Sequence, residues 1–156
     1  MTISTTIIKN SYSGNGSTSA FTYSFKITDD DDIEVIIRTD STGAETVKTK
    51  TTHYTVSGVG SNSGTVTFTS GNIPASGETV VLRRSTPQTQ GMDLIDNDPL
   101  DADTLENAFD KITSIAQELQ EEVDRSIKLS PTNTIGSTIF TLNATDRAGA
   151  VLGFDG

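Results

Sequence analysis

Four consecutive aspartates, Asp29 to Asp32, form the densest set of potential cation ligands in the chain. An EF-hand loop alternates its ligands with spacers and carries glycine at its sixth position. This run does neither, so it reads as a solvated turn between strands. Asp96, Asp98, Asp101 and Asp103 hold i, i+2 pairs that could chelate Ca²⁺ weakly. Glycine is again missing, and acids ahead of a helix N-terminus already have a dipole explanation. His53 is the single histidine and lies next to Tyr54. No Ser or Cys nucleophile motif accompanies it and no second histidine completes a metal pair, so it reads as an exposed strand residue. Arg83 and Arg84 alternate across a strand, so one of them faces solvent or a partner; docking contact and surface charge both stay open. Gly14-Asn15-Gly16 lacks the GK[ST] and the strand–loop–helix setting of a phosphate loop. Asn15 and Asn143 lie in N-x-[ST] triplets, which matter only in a secretory compartment. The chain has no cysteine, which excludes disulfides, thiolate metal sites and thiol nucleophiles. No catalytic residue, cofactor or metal is expected, and the protein is read as a non-enzyme.

Composition points the same way. The chain has 156 residues, enough for one domain and an appendage, and only 33% are hydrophobic, little for one large core. No run approaches the ~18 apolar residues of a membrane span, and the start, "MTISTTIIKN", lacks the apolar stretch of a signal peptide. Synthesis in the cytosol is the default expectation. The net charge is −10, and between Asp93 and Asp124 eleven acids face one base, Lys111, so that segment alone carries 1 − 11 = −10. No Lys/Arg stripe suits a phosphate backbone, so a partner with a basic surface is easier to accept than nucleic acid.

The elements that would position such a surface are mostly strands. "AFTYSFKI" (20–27) places Phe21, Tyr23, Phe25 and Ile27 on one face and Thr22, Ser24 and Lys26 on the other. "TISTTII" (2–8) is β-branched and fits an edge strand; "IEVIIR", "ETVKTK", "HYTVSG", "GTVTFTS" and "TVVLRR" follow with turn signals between them. About seven short strands spaced in this way predict a small antiparallel β-sandwich over 1–86. An acidic linker, 87–102, contains Pro87, Gly91 and Pro99, with Met92, Leu94 and Ile95 available to tack onto something apolar. A helix is predicted over 103–128 with Asp103 as N-cap, and an extended, β-like shaft entry over 129–156. The ending on "GFDG" reads as a cut rather than a finished C-terminus.

The helix is the informative element. Leu105, Phe109, Ile112, Ala116, Leu119 and Val123 are spaced four, three, four, three, four, which averages 3.5 residues and marks a heptad seam. Ala108, Ile115 and Ile127 widen the stripe, which favours three helices over two. Asp110, Glu118, Glu121 and Asp124 fall at outward positions and predict a negative sleeve around a parallel trimeric coiled coil, with the Asp-rich linker holding the helix away from the body. Packing on the same chain's sandwich is the bland alternative.

With "VVLRRSTP" (80–87), "MDLIDNDPLDADTLENAFDKI" and "QEEVDRSI" on the page, the chain resembles the N-terminal, virion-attachment region of tail fibres from short-tailed, autographivirus-type phages. The likeness covers most of 15–128, and "TDRAGAVLGFDG" is similar to junctions where fibre shafts begin. The resemblance implies a homotrimer in the virion tail whose β-domains dock on adaptor and nozzle rings. It places the distal fibre and its host receptor downstream, so that the receptor is contacted only indirectly. No shaft repeats, receptor-binding domain or depolymerase domain are present in these residues. The expected function is a trimeric tail-fibre anchor, mechanical rather than chemical, with no nucleic acid and no membrane as partner. Its trimer seam is Leu105, Phe109, Ile112, Ala116, Leu119 and Val123, and its possible docking residues are Arg83, Arg84, Asp96, Asp98 and Asp101. The alternatives are a monomeric surface or carbohydrate-binding β-sandwich module, and the front fragment of a polysaccharide-degrading tailspike.

Overall fold

Strict alternation from Phe21 to Ile27 builds one wall of the core: Phe21, Tyr23, Phe25 and Ile27 are all at least 96% buried, while Lys26 between them points elsewhere. A computed structural model describes residues 2–92 and 101–132. The chain divides into two compact units, Met1–Ser126 and Ile127–Gly156.

In the first unit the strands are β1 (Lys9–Ser13), β2 (Ala20–Tyr23), β3 (Ile33–Thr39), β4 (Glu45–Lys48), β5 (Tyr54–Ser57), β6 (Gly64–Phe68) and β7 (Glu78–Arg84), followed by α1 (Ala102–Asp124). They form two antiparallel sheets, ordered β1-β7-β3-β4 and β2-β6-β5. Register puts Val35 beside Leu82 and Ile37 beside Val80, so the inward residues of β3 and β7 stack across the ladder. Those four meet Phe21, Tyr23, Tyr54, Val66 and Phe68 of the other sheet in one core. Phe21 and Phe68 pack edge to face at 5.7 Å and 89°. Each large apolar side chain so buried contributes about 1.5–3 kcal/mol before entropy is counted. Gly64 is required at the start of β6, because a Cβ there would collide with the Ser57 carbonyl oxygen and the Tyr23 hydroxyl, which donates to that same carbonyl at 2.7 Å.

The predicted mainly-β architecture with a C-terminal helix is what the chain adopts, with three differences. The first strand is Lys9–Ser13, not 2–8. Residues 2–8 are an extended strap along the helix, whose side chains take their backbone groups: Ile3 N–H donates to Asp110 Oδ1 (3.1 Å) and Gln117 Nε2 donates to the Thr5 carbonyl (3.0 Å). The helix runs from Ala102 to Asp124, because Asp101 rather than Asp103 caps it. Its C-terminal end falls short of 128, where the Ser126 hydroxyl turns back onto the Val123 carbonyl (2.6 Å) and competes with the next helical turn. Finally, helix and sandwich belong to one unit, so α1 lies on the body and is not held away from it.

In the second unit the described residues are 127–132, where the Ser130 and Thr132 hydroxyls hydrogen-bond at 2.9 Å. The shaft entry expected over 129–156 lies outside the described residues from 133 onward.

Candidate functional site

The helix begins where the Asp101 carboxylate accepts from the Thr104 N–H (3.1 Å) and hydroxyl (2.9 Å), bonds that hold its pKa below the ordinary 3.8. From there α1 presents two unlike faces. At about 100° per residue, Glu106, Asp110, Ser114, Gln117 and Glu121 fall within an arc of about 80°, and the apolar stripe falls within a similar arc centred about 140° away.

The polar arc faces the body. Lys26 Nζ donates to Asp110 Oδ2 at 2.6 Å, and both side chains are buried, 5% and 4% exposed. Arg84, 1% exposed, donates through Nε to Glu118 (2.9 Å) and through one amino group to Gln117 Oε1 (2.7 Å) and the Ser114 carbonyl (3.3 Å). Glu118 also accepts from the Thr86 N–H and hydroxyl, and Glu106 accepts from the Thr2 hydroxyl (2.7 Å), which lowers its pKa from the ordinary value. Lys9 reaches Glu121 at 3.1 Å; hydrogen bonds from Arg125 first, and then from Lys9, hold the Glu121 carboxyl below its ordinary 4.5.

The negative sleeve is therefore corrected. Asp110, Glu118 and Glu121 point inward, because Lys26, Arg84, Lys9 and the strap supply donors there, and Asp124 is the one of the four that is exposed. The apolar arc faces away from the sandwich: Phe109 is 60% exposed, Ile112 64%, Leu119 46% and Val123 49%. Ala116 is exposed as well, and Leu105 is half-buried. Ala108 and Ile115 flank the stripe and, with Met92 of the connector, line an apolar groove of about 720 Å³.

The other expected docking residues separate. Arg84 is not a free docking contact, since its guanidinium is enclosed by α1. Arg83 stays partly exposed and lies 3.5 Å from Glu34 and 3.9 Å from Glu122. Asp101 is the helix cap, and Asp96 and Asp98 lie outside the described residues. Asp29, Asp30 and Asp31 do bring carboxylate oxygens within 4.8 Å of one another, but the Lys50 ammonium bridges Asp30 (2.6 Å) and Asp31. That pairing lowers the Asp30 pKa and raises that of Lys50. Asp32 is buried and caps the turn through the Thr28 and Asp29 N–H groups (2.9 Å each). His53 Nδ1 accepts from the Thr49 N–H at 3.0 Å, a turn-forming bond.

Sequence reasoning missed Lys26 and the strap. The signal was present in part: Lys26 is the one charge inside the clearest alternating strand, and Asp110 stands opposite the stripe.

No family model matches the chain. A tail spike protein of Salmonella phage epsilon15 is 34% identical over 133 residues, which cover 82% of this chain and 12% of that protein. The chain thus spans about an eighth of the curated relative's length. The likeness supports a phage tail protein and a component of the virion. Among the described residues no helix is long and apolar enough to cross a membrane.

Proposed function

We propose that the chain is an attachment module of a phage tail spike or fibre, in which three copies associate through Leu105, Phe109, Ile112, Ala116, Leu119 and Val123 and carry receptor-binding machinery on the tail. One observation carries the reading. A heptad-spaced apolar stripe stands open on a helix whose opposite side is already occupied by its own sandwich. Exposed apolar surface of this extent marks an interaction site, and a 3.5-residue period fits other helices of the same kind. Three weak docking contacts then act as one strong attachment, because the bundle raises their effective concentration.

The match to a tail spike supports the neighbouring reading equally: the chain as the attachment part of a larger spike whose polysaccharide chemistry resides elsewhere. Both assign a mechanical task to these residues. Tail adaptor and nozzle rings are the proposed docking partners and the distal fibre or spike is the proposed cargo. Arg83 and the exposed acids Asp103 and Glu122 are among the charged side chains proposed to take part in docking.

The test is incorporation. The chain fused to a small epitope and expressed during infection by its own phage should copurify with virions and be located at the tail by immunogold labelling. A Phe109→Asp version, unable to associate, should be excluded. Equal incorporation of both versions contradicts the proposal.

A further inference from the structure

An amphipathic helix lying on a domain ordinarily buries its apolar side. Here α1 does the reverse, and the body beneath it holds two buried cations, Lys26 and Arg84. We propose that Lys26 and Arg84 are positioning residues that fix the rotation of α1 about its axis, and so keep the stripe presented to a second copy of the chain. The inference rests on the reading of that stripe as the contact between copies.

Two ways exist to lay this helix on the sandwich, a little under half a turn of rotation apart. The apolar-in arrangement would hide Phe109, Ile112, Leu119 and Val123 against the strap, where Ile3 and Ile8 lie, and would need no partner. It would also strip Asp110 from Lys26, and Glu118 and Gln117 from Arg84, breaking the ion pairs that these two buried cations make with the helix. Asp110 and Glu118 lie about 12 Å apart along the axis at ~1.5 Å per residue, so the helix is pinned at two points and can neither roll nor slide.

The polar interface is a poor device for stability alone. Among the described residues Arg84 Nη1 and Glu121 Oε2 are buried with no hydrogen-bond partner, and both residues line a polar cavity of about 130 Å³. Well-packed apolar residues often stabilise such a place as much or more. What buried cations do supply is a choice between arrangements that apolar packing would leave open.

Because the chain has no cysteine, single thiols report helix orientation. Ser114 is 6% exposed on the clamped face, and Ala116 is exposed on the outer face. Maleimide labelling of Ser114→Cys should be slow in the parent chain and at least about tenfold faster in the Lys26→Met/Arg84→Met background, where the helix rolls. Sedimentation of the same variant should show association weakened. If Lys26→Met/Arg84→Met does not fold, Asp110→Lys supplies the test: it should speed labelling of Ser114→Cys, and Lys26→Asp/Asp110→Lys should slow it again. Unchanged labelling in a folded variant overturns the proposal. The two readouts are separable: a parent chain that sediments as a monomer with Ser114→Cys protected contradicts the association, while the protection supports the clamp.

Discussion

Lys26 and Asp110 are the pair on which the orientation of the helix turns. Both side chains are about 95% buried and their charged atoms are 2.6 Å apart. Removing one member of such a pair leaves the other charged and desolvated, so Asp110→Ala should cost about 3–5 kcal/mol, read from the urea midpoint. A cost below about 1 kcal/mol would mean that water reaches the ammonium. Glu121 gives a prediction for acid. Its pKa is held below the ordinary 4.5 by Arg125 and Lys9, so the bonded carboxylate's contribution is fully present above 4.5. It is lost as pH falls through the depressed value. Melting temperature should therefore decline as pH drops below the ordinary carboxylate range, and Glu121→Gln should flatten part of that decline. A parent and variant with parallel pH profiles would contradict the assignment.

The core strands and the helix were legible from period alone. Phe21, Tyr23, Phe25 and Ile27 declare their face by alternation, and the stripe declares its own by heptad spacing, since both patterns are local. The rotation of the helix was not legible. The residues that decide it, Lys26 and Arg84, lie 84 and 34 positions from Asp110 and Glu118, and no local pattern links them. The strap was misread because the β-branched residues of 2–8 suit an edge strand and an extended strap equally; only the polar arc of α1 distinguishes them. The helix start turned on one side chain. Asp101→Ala removes the acceptor for both Thr104 donors, so helical circular dichroism and the melting temperature should fall while the sandwich signal persists. The same substitution at Asp103, in the first turn but not the cap, should do less.

At the scale of the whole molecule, a net charge of −10 and an exposed apolar stripe oppose each other, because like charge resists association. The fold eases this conflict by turning Asp110, Glu118 and Glu121 inward onto cations. In a trimer built on the outward face, each helix would keep its own sandwich on its outer flank, with the apolar seam at the centre. Sedimentation equilibrium on the purified chain tests this account most directly. Three times 16.5 kDa is the predicted mass across the micromolar range, with Phe109→Asp returning 16.5 kDa and an unchanged β-sheet signal. A parent chain of 16.5 kDa throughout that range, its stripe open to water and unpartnered, would contradict it.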